Sequence, residues 1–326
     1  TGVCPRGGKG RWARGGWRGG EGGPPPRGAS WALRGHVEHP PPTLRAEGLY
    51  VLRTGTAEFG NGSTTVQRQI AASVLSVDGS RVVLEHADTD AVTHDTGAFA
   101  SAGTTVAGKA AHAACTALRH RLIDIAATLH GVGADACTLR ADGVLTPLGV
   151  VPLSDIVIAG GGTHAHGVSA TGEEFGEERS LAFNVHAVRV AVEPQTGTVR
   201  ILQSVHAADA GFVMNPAQCR GQIEGGVAQG VGSALYEEVM IDTDGSVINP
   251  MFRTYRVPQF ADIPDTEVYF ADTSDELGPF GAKSMSESPY NPVAPAIGNA
   301  IARALGRRPY EQPFSRDRVW RLAQPE

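Results

Sequence analysis

The sequence predicts an α+β fold, in which mixed sheets with antiparallel hairpins pack against helices. Residues 181–211 alternate apolar and polar side chains around the turn "PQTG", and this pattern is typical of a half-buried antiparallel hairpin. Other stretches carry apolar residues at helical spacing, above all the stripe that runs from Val106 to a stop at Gly131. Hydrophobic residues make up 41% of the 326 residues, enough for the core of one large domain or two.

The predicted elements follow in order from about Gly48. "LYVLRTGTAEFGNG" is expected to be a strand that enters a glycine turn, and the helix after it begins near Ser63 and Thr64. A short strand, "RVVLEHADT", precedes the long helix that ends at Gly131. "RGQIEGGVAQGVGSALYEEV" is predicted to be a helix whose glycines allow close backbone approach, and a final helix runs from about Pro292 to Leu305.

The first 47 residues differ in composition from the rest. Residues 1–46 contain 12 Gly and 7 Pro and show neither a helical nor a strand period, so we predict a disordered Gly/Arg/Pro-rich segment at 1–47 and an ordered domain at 48–326. Arginines interleaved with Trp12, Trp17 and Trp31 leave an RNA-binding tail as an alternative, beside an upstream extension of the reading frame without function.

Charge and cysteine content exclude several classes of protein. Residues 1–46 hold eight basic and two acidic residues, which leaves 20 basic and 32 acidic residues for the remainder. An acidic body argues against a nucleic-acid surface, and no apolar run approaches the roughly 20 residues of a membrane span. The four cysteines lie far apart without a C-x-x-C spacing, so we expect reduced thiols in a cytoplasmic protein.

Two short motifs are not assigned a function. "DTG" at 95–97 matches the aspartic-protease triplet, but that chemistry requires a second copy to supply the other carboxylate, and the sequence contains none. His164 and His166 point to opposite sides of an extended segment and have no evident third ligand, so no metal-ligating residue is predicted.

Three stretches of small residues are expected at helix starts, where exposed N–H groups bind phosphate and other anions. They are "FGNGSTT" at 59–65, "ASAGTT" at 100–105 and "RGQIEGG" at 220–226. One such stretch alone would be an ordinary cap or turn. Together with the loop carboxylate Glu287, the three predict a site.

Six segments between residues 48 and 326, in colinear order, resemble the molybdenum-binding subunit of the xanthine dehydrogenase and aldehyde oxidase family. They include "AEFGNGSTTVQRQIAA", "HDTGAFASAGTTVAGKAAHAAC", "NPAQCRGQIEGGVAQGVGSALYEE" and "GPFGAKSMSESPYNPVAPAIGNAI". The resemblance implies the fold of the second molybdenum-binding domain of these proteins. It also implies a molybdenum-dependent oxidoreductase that carries a molybdopterin cofactor, usually the cytosine dinucleotide form in bacteria. Its substrate would be a purine, an aldehyde or an N-heterocycle.

The resemblance also implies roles for individual residues. Phe99 is similar to a substrate-pocket residue, and its ring departs from the small residue usual there. Asn61 stands where many members have glutamine. The residues that resemble cofactor-binding positions are Phe59, Gly60, Asn61, Ala100, Ser101, Ala102, Gly103, Thr104 and Gln222.

Glu287 resembles the carboxylate that lies beside the molybdenum in this family and acts as general base. A carboxylate in a loop of small residues is able to reach such a centre. The usual loop has glycines where Ser284 and Ser286 stand here, while the spacing from Lys283 to Glu287 and the following proline match.

The resemblance covers only part of a family member. A first molybdenum-domain half is expected as a partner, together with 2Fe–2S and FAD modules on other chains or domains, and none of these resembles residues 1–46. One hypothesis is therefore a hydroxylase subunit that acts with partner chains. The alternative is a truncated or mis-started fragment that folds in part and has no activity without the first half.

Overall fold

The computed structural model describes residues 13–15, 36–37, 41–92, 95, 97–98, 101, 103–161, 167–171, 173–174 and 180–325. Some residues singled out above lie outside these ranges, as do most of residues 1–47, and they are Trp12, Trp17, Trp31, Phe99, Ala100, Ala102, His164 and His166. The described chain is an α+β structure with four mixed or antiparallel sheets and packed helices, so the predicted fold class is confirmed.

The first lobe comprises residues 43–174. Its strands are β3 (Thr43–Leu44), β4 (Tyr50–Thr54), β5 (Val82–His86), β6 (Thr138–Leu139), β7 (Gly143–Thr146), β8 (Gly149–Pro152), β9 (Val168–Ser169) and β10 (Glu173–Glu174). Its helices are α1 (Ser63–Leu75), α2 (Gly108–His130) and α3 (Leu153–Ala159). Strands β5-β4-β3-β9 form one sheet and β6-β7-β8 a second, while β10 pairs with β2 (His36–Val37).

The core of the first lobe forms around α2, as its sequence period predicts. Ala110, Ala114, Leu118 and Leu122 recur every four residues and are all fully buried, because this spacing places them on one face of the helix. Gly131 adopts a left-handed conformation and ends the helix where the sequence predicted.

The second lobe comprises residues 184–323. Its strands are β11 (Asn184–Glu193), β12 (Thr198–Ala208) and β13 (Thr266–Phe270), and its helices are α4 (Pro216–Leu235), α5 (Val293–Leu305) and α6 (Arg316–Ala323). Its sheet has the order β1-β11-β12-β13, with β1 at Ala13–Gly15. The β11–β12 hairpin is antiparallel around residues 194–197, as predicted, whereas the pairing of β12 with β13 is parallel.

The glycines of α4 permit the close packing that the sequence suggested. A Cβ added at Gly230 would lie 2.5 Å from Cβ of Val293, so any larger residue would push α5 away. Helix α5 begins and ends within one residue of its prediction, but it is not the final helix, because α6 follows it.

The predicted boundary between residues 1–47 and 48–326 stays a prediction. Strand β3 pairs with β4, and Leu44 is fully buried in the core of the first lobe. Within the described residues, no helix combines the length and the apolar character that crossing a bilayer requires.

Candidate functional site

A cleft of about 650 Å³ lies between the two lobes. The first lobe contributes residues from 59–66 and 98–104, and the second lobe contributes residues from 210–229 and 282–291. Each lobe has its own core, so the cleft walls are carried by two separately packed units. Of the predicted site residues, the cleft is lined by Phe59, Asn61, Ser101, Gly103, Thr104, Gln222 and Glu287.

The start of α1 is held by the carboxylate of Glu58. Its Oε1 accepts the N–H groups of Gly60 (2.7 Å) and Gly62 (3.0 Å), and its Oε2 accepts the N–H of Thr64 (3.1 Å). Burial alone would raise the pKa of Glu58, but the hydrogen bonds from the N–H groups of Thr64, Gly62 and Gly60 outweigh it and lower the pKa to about 2. Sequence reasoning did not identify Glu58, because a carboxylate five residues before a helix matches no standard cap.

Asn61 lines the cleft, and the oxygen of its side-chain amide is bonded within the protein while the nitrogen is bonded to no described residue. Its Oδ1 accepts the N–H of Ser63 at 3.2 Å, which is a local Asx turn. Because only the oxygen can accept, this bond fixes the amide orientation. Its Nδ2 makes no hydrogen bond with a described residue, so it is available as a donor toward the cleft.

Ser101 and Glu287 connect the two lobes directly. The Ser101 hydroxyl donates to Glu287 Oε2 at 3.2 Å and accepts the Glu287 N–H at 3.0 Å. Ser101 has a φ of 58°, which is uncommon for a residue other than glycine. Its backbone carbonyl also accepts the hydroxyl of Ser284 at 3.0 Å, so Ser101 contacts the Glu287 loop at both ends.

The turn that carries Glu287 is held by a chain of hydrogen bonds among partly and fully buried polar groups. Ser288 donates its hydroxyl to the carbonyl of Met285 (2.7 Å) and accepts Nδ2 of Asn184 (2.7 Å). Asn184 Oδ1 lies 2.9 Å from Nε2 of His206. Since an amide oxygen only accepts, Nε2 of His206 carries the proton, and its buried Nδ1 has no hydrogen-bond partner among the described residues.

Lys283 anchors the other end of the same loop. Its Nζ lies 2.8 Å from Oδ2 of Asp209, and both side chains are nearly buried. Burial alone would raise the pKa of Asp209, but hydrogen bonds from Lys283 and Thr273 and the charge of Lys283 lower it. Lys283 therefore stabilises the loop through its ion pair with Asp209, and its charge is not free in the cleft.

The start of α4 differs from its prediction. Residues 220–226 were expected to begin a helix, but α4 begins at Pro216, with Asn215 as its cap accepting the N–H of Gln218 at 3.1 Å. The predicted stretch therefore lies inside the helix, where its N–H groups take part in helical hydrogen bonds. The capping Asn followed by Pro was the sequence signal for the true start.

Gln218 is a cleft residue that sequence reasoning missed. It joins the starts of α4 and α1, since its Nε2 donates to the hydroxyl of Thr65 at 3.2 Å. Its Oε1 is buried and has no partner within the described chain. One turn later, Gln222 faces the same cleft and makes no side-chain hydrogen bond with a described residue.

Residues 42–264 match the family described as "Molybdopterin cofactor-binding domain". The chain belongs to this family. The resemblance inferred from the sequence motifs is thus confirmed, and the character of the cleft can be compared with the cofactor that this family binds. The cleft is roomy and lined by amides with free hydrogen-bonding groups, and an added Cβ at Gly103 would meet nothing within 4 Å. These residues fit a flat, polar cofactor with a phosphate.

Relatives of this molybdopterin-binding domain are oxidoreductases. The chain is 33% identical over 266 residues to "Probable hypoxanthine oxidase XdhD" of Escherichia coli K12, a match that covers 81% of this chain and 28% of the relative. It is 31% identical over 280 residues to "Aldehyde oxidoreductase molybdenum-binding subunit PaoC" of Escherichia coli O157:H7, covering 85% and 37%.

Solved structures show the same fold. Quinoline 2-oxidoreductase from Pseudomonas putida 86 superposes with a TM-score of 0.80 at 26% identity, over 89% of this chain and 38% of that chain. The chain therefore spans between 28% and 38% of the length of these three proteins.

Proposed function

We propose that this chain is the part of a molybdenum hydroxylase that binds molybdopterin, in its cytosine dinucleotide form, and carries the general base Glu287. The observation that supports this most strongly is the placement of Glu287. Ser101 binds its N–H and its Oε2 on the cleft wall, and Ser288 fixes the turn that follows it. The other carboxylate oxygen, Oε1, makes no hydrogen bond with a described residue. A carboxylate with one fixed and one free oxygen is suited to accept a proton.

The other cleft residues would bind and orient the pterin cofactor. Asn61 and Gln222 would donate to or accept from the pterin ring, and Phe59 and Gly60 would lie beside it. Thr104 and Gly103 belong to the π-helical turn before α2 (Gly103–Ala107), where exposed N–H groups suit a cofactor phosphate. Ala100, Ala102 and the pocket residue Phe99 complete this proposal on the basis of the family resemblance alone. When bound, the molybdenum cofactor would supply the two-electron redox chemistry.

The substrate class we propose is a purine, an aldehyde or an N-heterocycle. The names of the relatives support this range, since they include a probable hypoxanthine oxidase, an aldehyde oxidoreductase and a quinoline oxidoreductase. Glu287 would take a proton from the oxygen nucleophile as it attacks an electrophilic carbon of the substrate. We expect the reaction in the cytoplasm, with Cys115, Cys137 and Cys219 as free thiols.

We propose that the chain acts together with partner polypeptides. A first molybdenum-domain half would close the cleft, and 2Fe–2S and FAD modules would carry the electrons away. The exposed apolar residues of segment 239–260 support the proposal that a partner is missing. We name this surface the apolar strip, and it consists of Val239, Met240, Ile241, Val247, Ile248, Met251, Phe252, Val257 and Phe260. All are at least 41% exposed, and Phe252 and Phe260 reach 91% and 99%.

Glu287→Gln tests the proposed function. In a complex completed with the missing half, it should lower turnover of hypoxanthine, benzaldehyde or quinoline by about 100-fold or more, the usual scale for a lost general base. Molybdenum content should stay unchanged, because glutamine keeps the shape of the side chain. Glu47→Gln is the matched control, since Glu47 is exposed and lies outside the cleft. Full activity of Glu287→Gln would remove Glu287 from the mechanism.

A further inference from the structure

Four N–H groups at the start of α1 are already accepted by side chains of the same segment. Glu58 accepts three of them, from Gly60, Gly62 and Thr64, and also the hydroxyls of Ser63 (3.3 Å) and Thr64 (3.1 Å). Asn61 Oδ1 accepts the N–H of Ser63. These four donors, which would otherwise be open to an external anion at this helix start, are thus occupied within the chain.

A second acceptor lies against the same turn. A Cβ added at Gly62 would lie 2.7 Å from Oε1 of Gln218, so this oxygen packs directly on the turn. Gln218 Oε1 is buried and has no partner within the described residues. A carboxylate on one side and a bare amide oxygen on the other give the α1 start a negative potential, which opposes the approach of a phosphate.

We propose that Glu58 is an internal anion that fills the anion-binding position at the start of α1, so that this wall of the cleft recognises its ligand through the neutral donor Asn61 Nδ2. This rests on the proposed function, because the ligand is taken to be the pterin cofactor. The cofactor group opposite Asn61 is then a hydrogen-bond acceptor, such as a ring nitrogen or a carbonyl oxygen. Its phosphate would then lie at the turn before α2, as proposed above.

Glu58 is therefore a positioning residue that acts through Asn61. Its bonds to Gly60 and Gly62 fix the two glycines on either side of Asn61, both of which have positive φ angles (99° and 80°). Without the carboxylate, these glycines would be free to take many conformations, and the Asn61 amide would no longer be held in one orientation.

Inorganic phosphate is the probe for the first experiment, applied to the full chain. In Glu58→Ala the amides are released, and phosphate should raise the thermal midpoint by roughly 2 °C or more in a saturable manner. The wild-type chain and the control Glu47→Ala should show a smaller rise of the midpoint, and phosphate should perturb their amides at residues 60–64 no more than chloride does at equal ionic strength. A phosphate response of the wild-type chain that perturbs the amides of residues 60–64 would overturn the proposal.

Amide hydrogen exchange provides a second readout that requires no ligand. We expect exchange at Gly60, Gly62 and Thr64 to be at least about tenfold faster in Glu58→Ala than in wild type, because an N–H loses its acceptor. If Glu58→Ala does not fold, Glu58→Gln replaces it, since glutamine fills the same space without the charge and with one acceptor oxygen fewer. Unchanged exchange and no phosphate response in a folded variant would also overturn the proposal.

The role of Asn61 is tested with two conservative substitutions in the completed complex. Asn61→Asp keeps an oxygen for Ser63 N–H but replaces the Nδ2 donor by an acceptor, and should lower molybdenum content per chain about tenfold. Asn61→Gln keeps the donor and should retain molybdenum. Equal loss in both variants would overturn the donor assignment. If the phosphate and exchange results hold but no variant or wild type contains molybdenum, the proposed function fails and the internal anion stands.

Discussion

Ser101 and Glu287 are 186 positions apart in the chain and hold each other by two hydrogen bonds across the cleft. The single hydroxyl of Ser101 donates to Glu287 Oε2 and accepts the Glu287 N–H. A residue first assigned to a cofactor phosphate by family resemblance thus has its hydroxyl committed to Glu287, the proposed general base. This relationship fixes both the backbone and the carboxylate of Glu287 relative to the first lobe.

Ser101→Ala should lower kcat of the completed complex by roughly 10- to 100-fold, because a hydrogen bond to a charged group is worth about 1.5–3 kcal/mol. Molybdenum content should stay unchanged, and hydrogen exchange at the Glu287 amide should become faster. If Ser101 held a cofactor phosphate instead, the variant would lose molybdenum.

The backbone at Ser101 requires its own control. Ser76→Ala is matched, since Ser76 is exposed at the end of α1 and has nearly the same φ, 57°. It should leave exchange at Glu287 and turnover unchanged. Ser101→Gly removes the same hydroxyl while relieving the left-handed strain, so it should resemble Ser101→Ala. A wild-type phenotype of Ser101→Gly would mean that backbone conformation matters and the hydroxyl does not.

Mild acid should destabilise the protein through His186 and His206. Burial lowers the pKa of His186 to about 3, with a further contribution from His206, and lowers the pKa of His206 to about 4. Below about pH 6.5 the unfolded chain binds protons that the folded chain does not, so the free energy of unfolding falls with pH, by about 1.4 kcal/mol per unit and histidine at most. The loss stops growing below pH 4 for His206 and below pH 3 for His186.

Urea unfolding between pH 7.5 and pH 5 measures this loss. Glu58 does not interfere, because its lowered pKa affects stability only as the pH falls below about 4.5 toward 2. His206→Gln should roughly halve the slope, whereas the exposed His120→Gln should leave it unchanged. An unchanged slope in His206→Gln would contradict the assignment of the acid sensitivity to this pair.

Breaking the ion pair of Lys283 and Asp209 from one side should be costly. Lys283→Met leaves a nearly buried carboxylate without its partner, and we expect the free energy of unfolding to fall by about 3–5 kcal/mol. The double variant Lys283→Met/Asp209→Leu should lose much less, because no charge is left buried. Denaturant unfolding of the four proteins forms a double-mutant cycle. A loss in the double variant equal to the sum of the two single losses would show that the pair is not coupled.

Residues 48–326 expressed alone should bind no molybdopterin, oxidise neither hypoxanthine nor benzaldehyde, and self-associate. A cleft open on one side loses contacts to water, and the apolar strip stays uncovered. Light scattering with metal analysis measures both. Phe252→Ser/Phe260→Ser should reduce the association, while the control Tyr310→Ser, also 91% exposed but outside the strip, should not. A monodisperse wild-type monomer with stoichiometric molybdenum would contradict this prediction and show that the domain is self-sufficient.

The local parts of this fold follow from the sequence by itself. The four-residue recurrence of Ala110, Ala114, Leu118 and Leu122 determined α2, and Gly131 determined its end, because helical period and a left-handed cap are properties of neighbouring residues. Alternation around "PQTG" determined the β11–β12 hairpin in the same way. The motifs around Asn61, Gln222 and Glu287 likewise predicted these residues in one site, and all three line the same cleft.

Only the tertiary structure decided how those residues are used. Ser101 meets Glu287, Asn184 meets Ser288, and β13 runs parallel to β12, each across a separation over which no sequence period operates. Glu58 lies within six residues of all its partners, yet its role depends on the positive φ angles of Gly60 and Gly62 that turn their N–H groups inward. A hydrogen bond is directional and short-ranged, so its partners are set by the final packing of the chain, whereas burial patterns are set by composition and spacing.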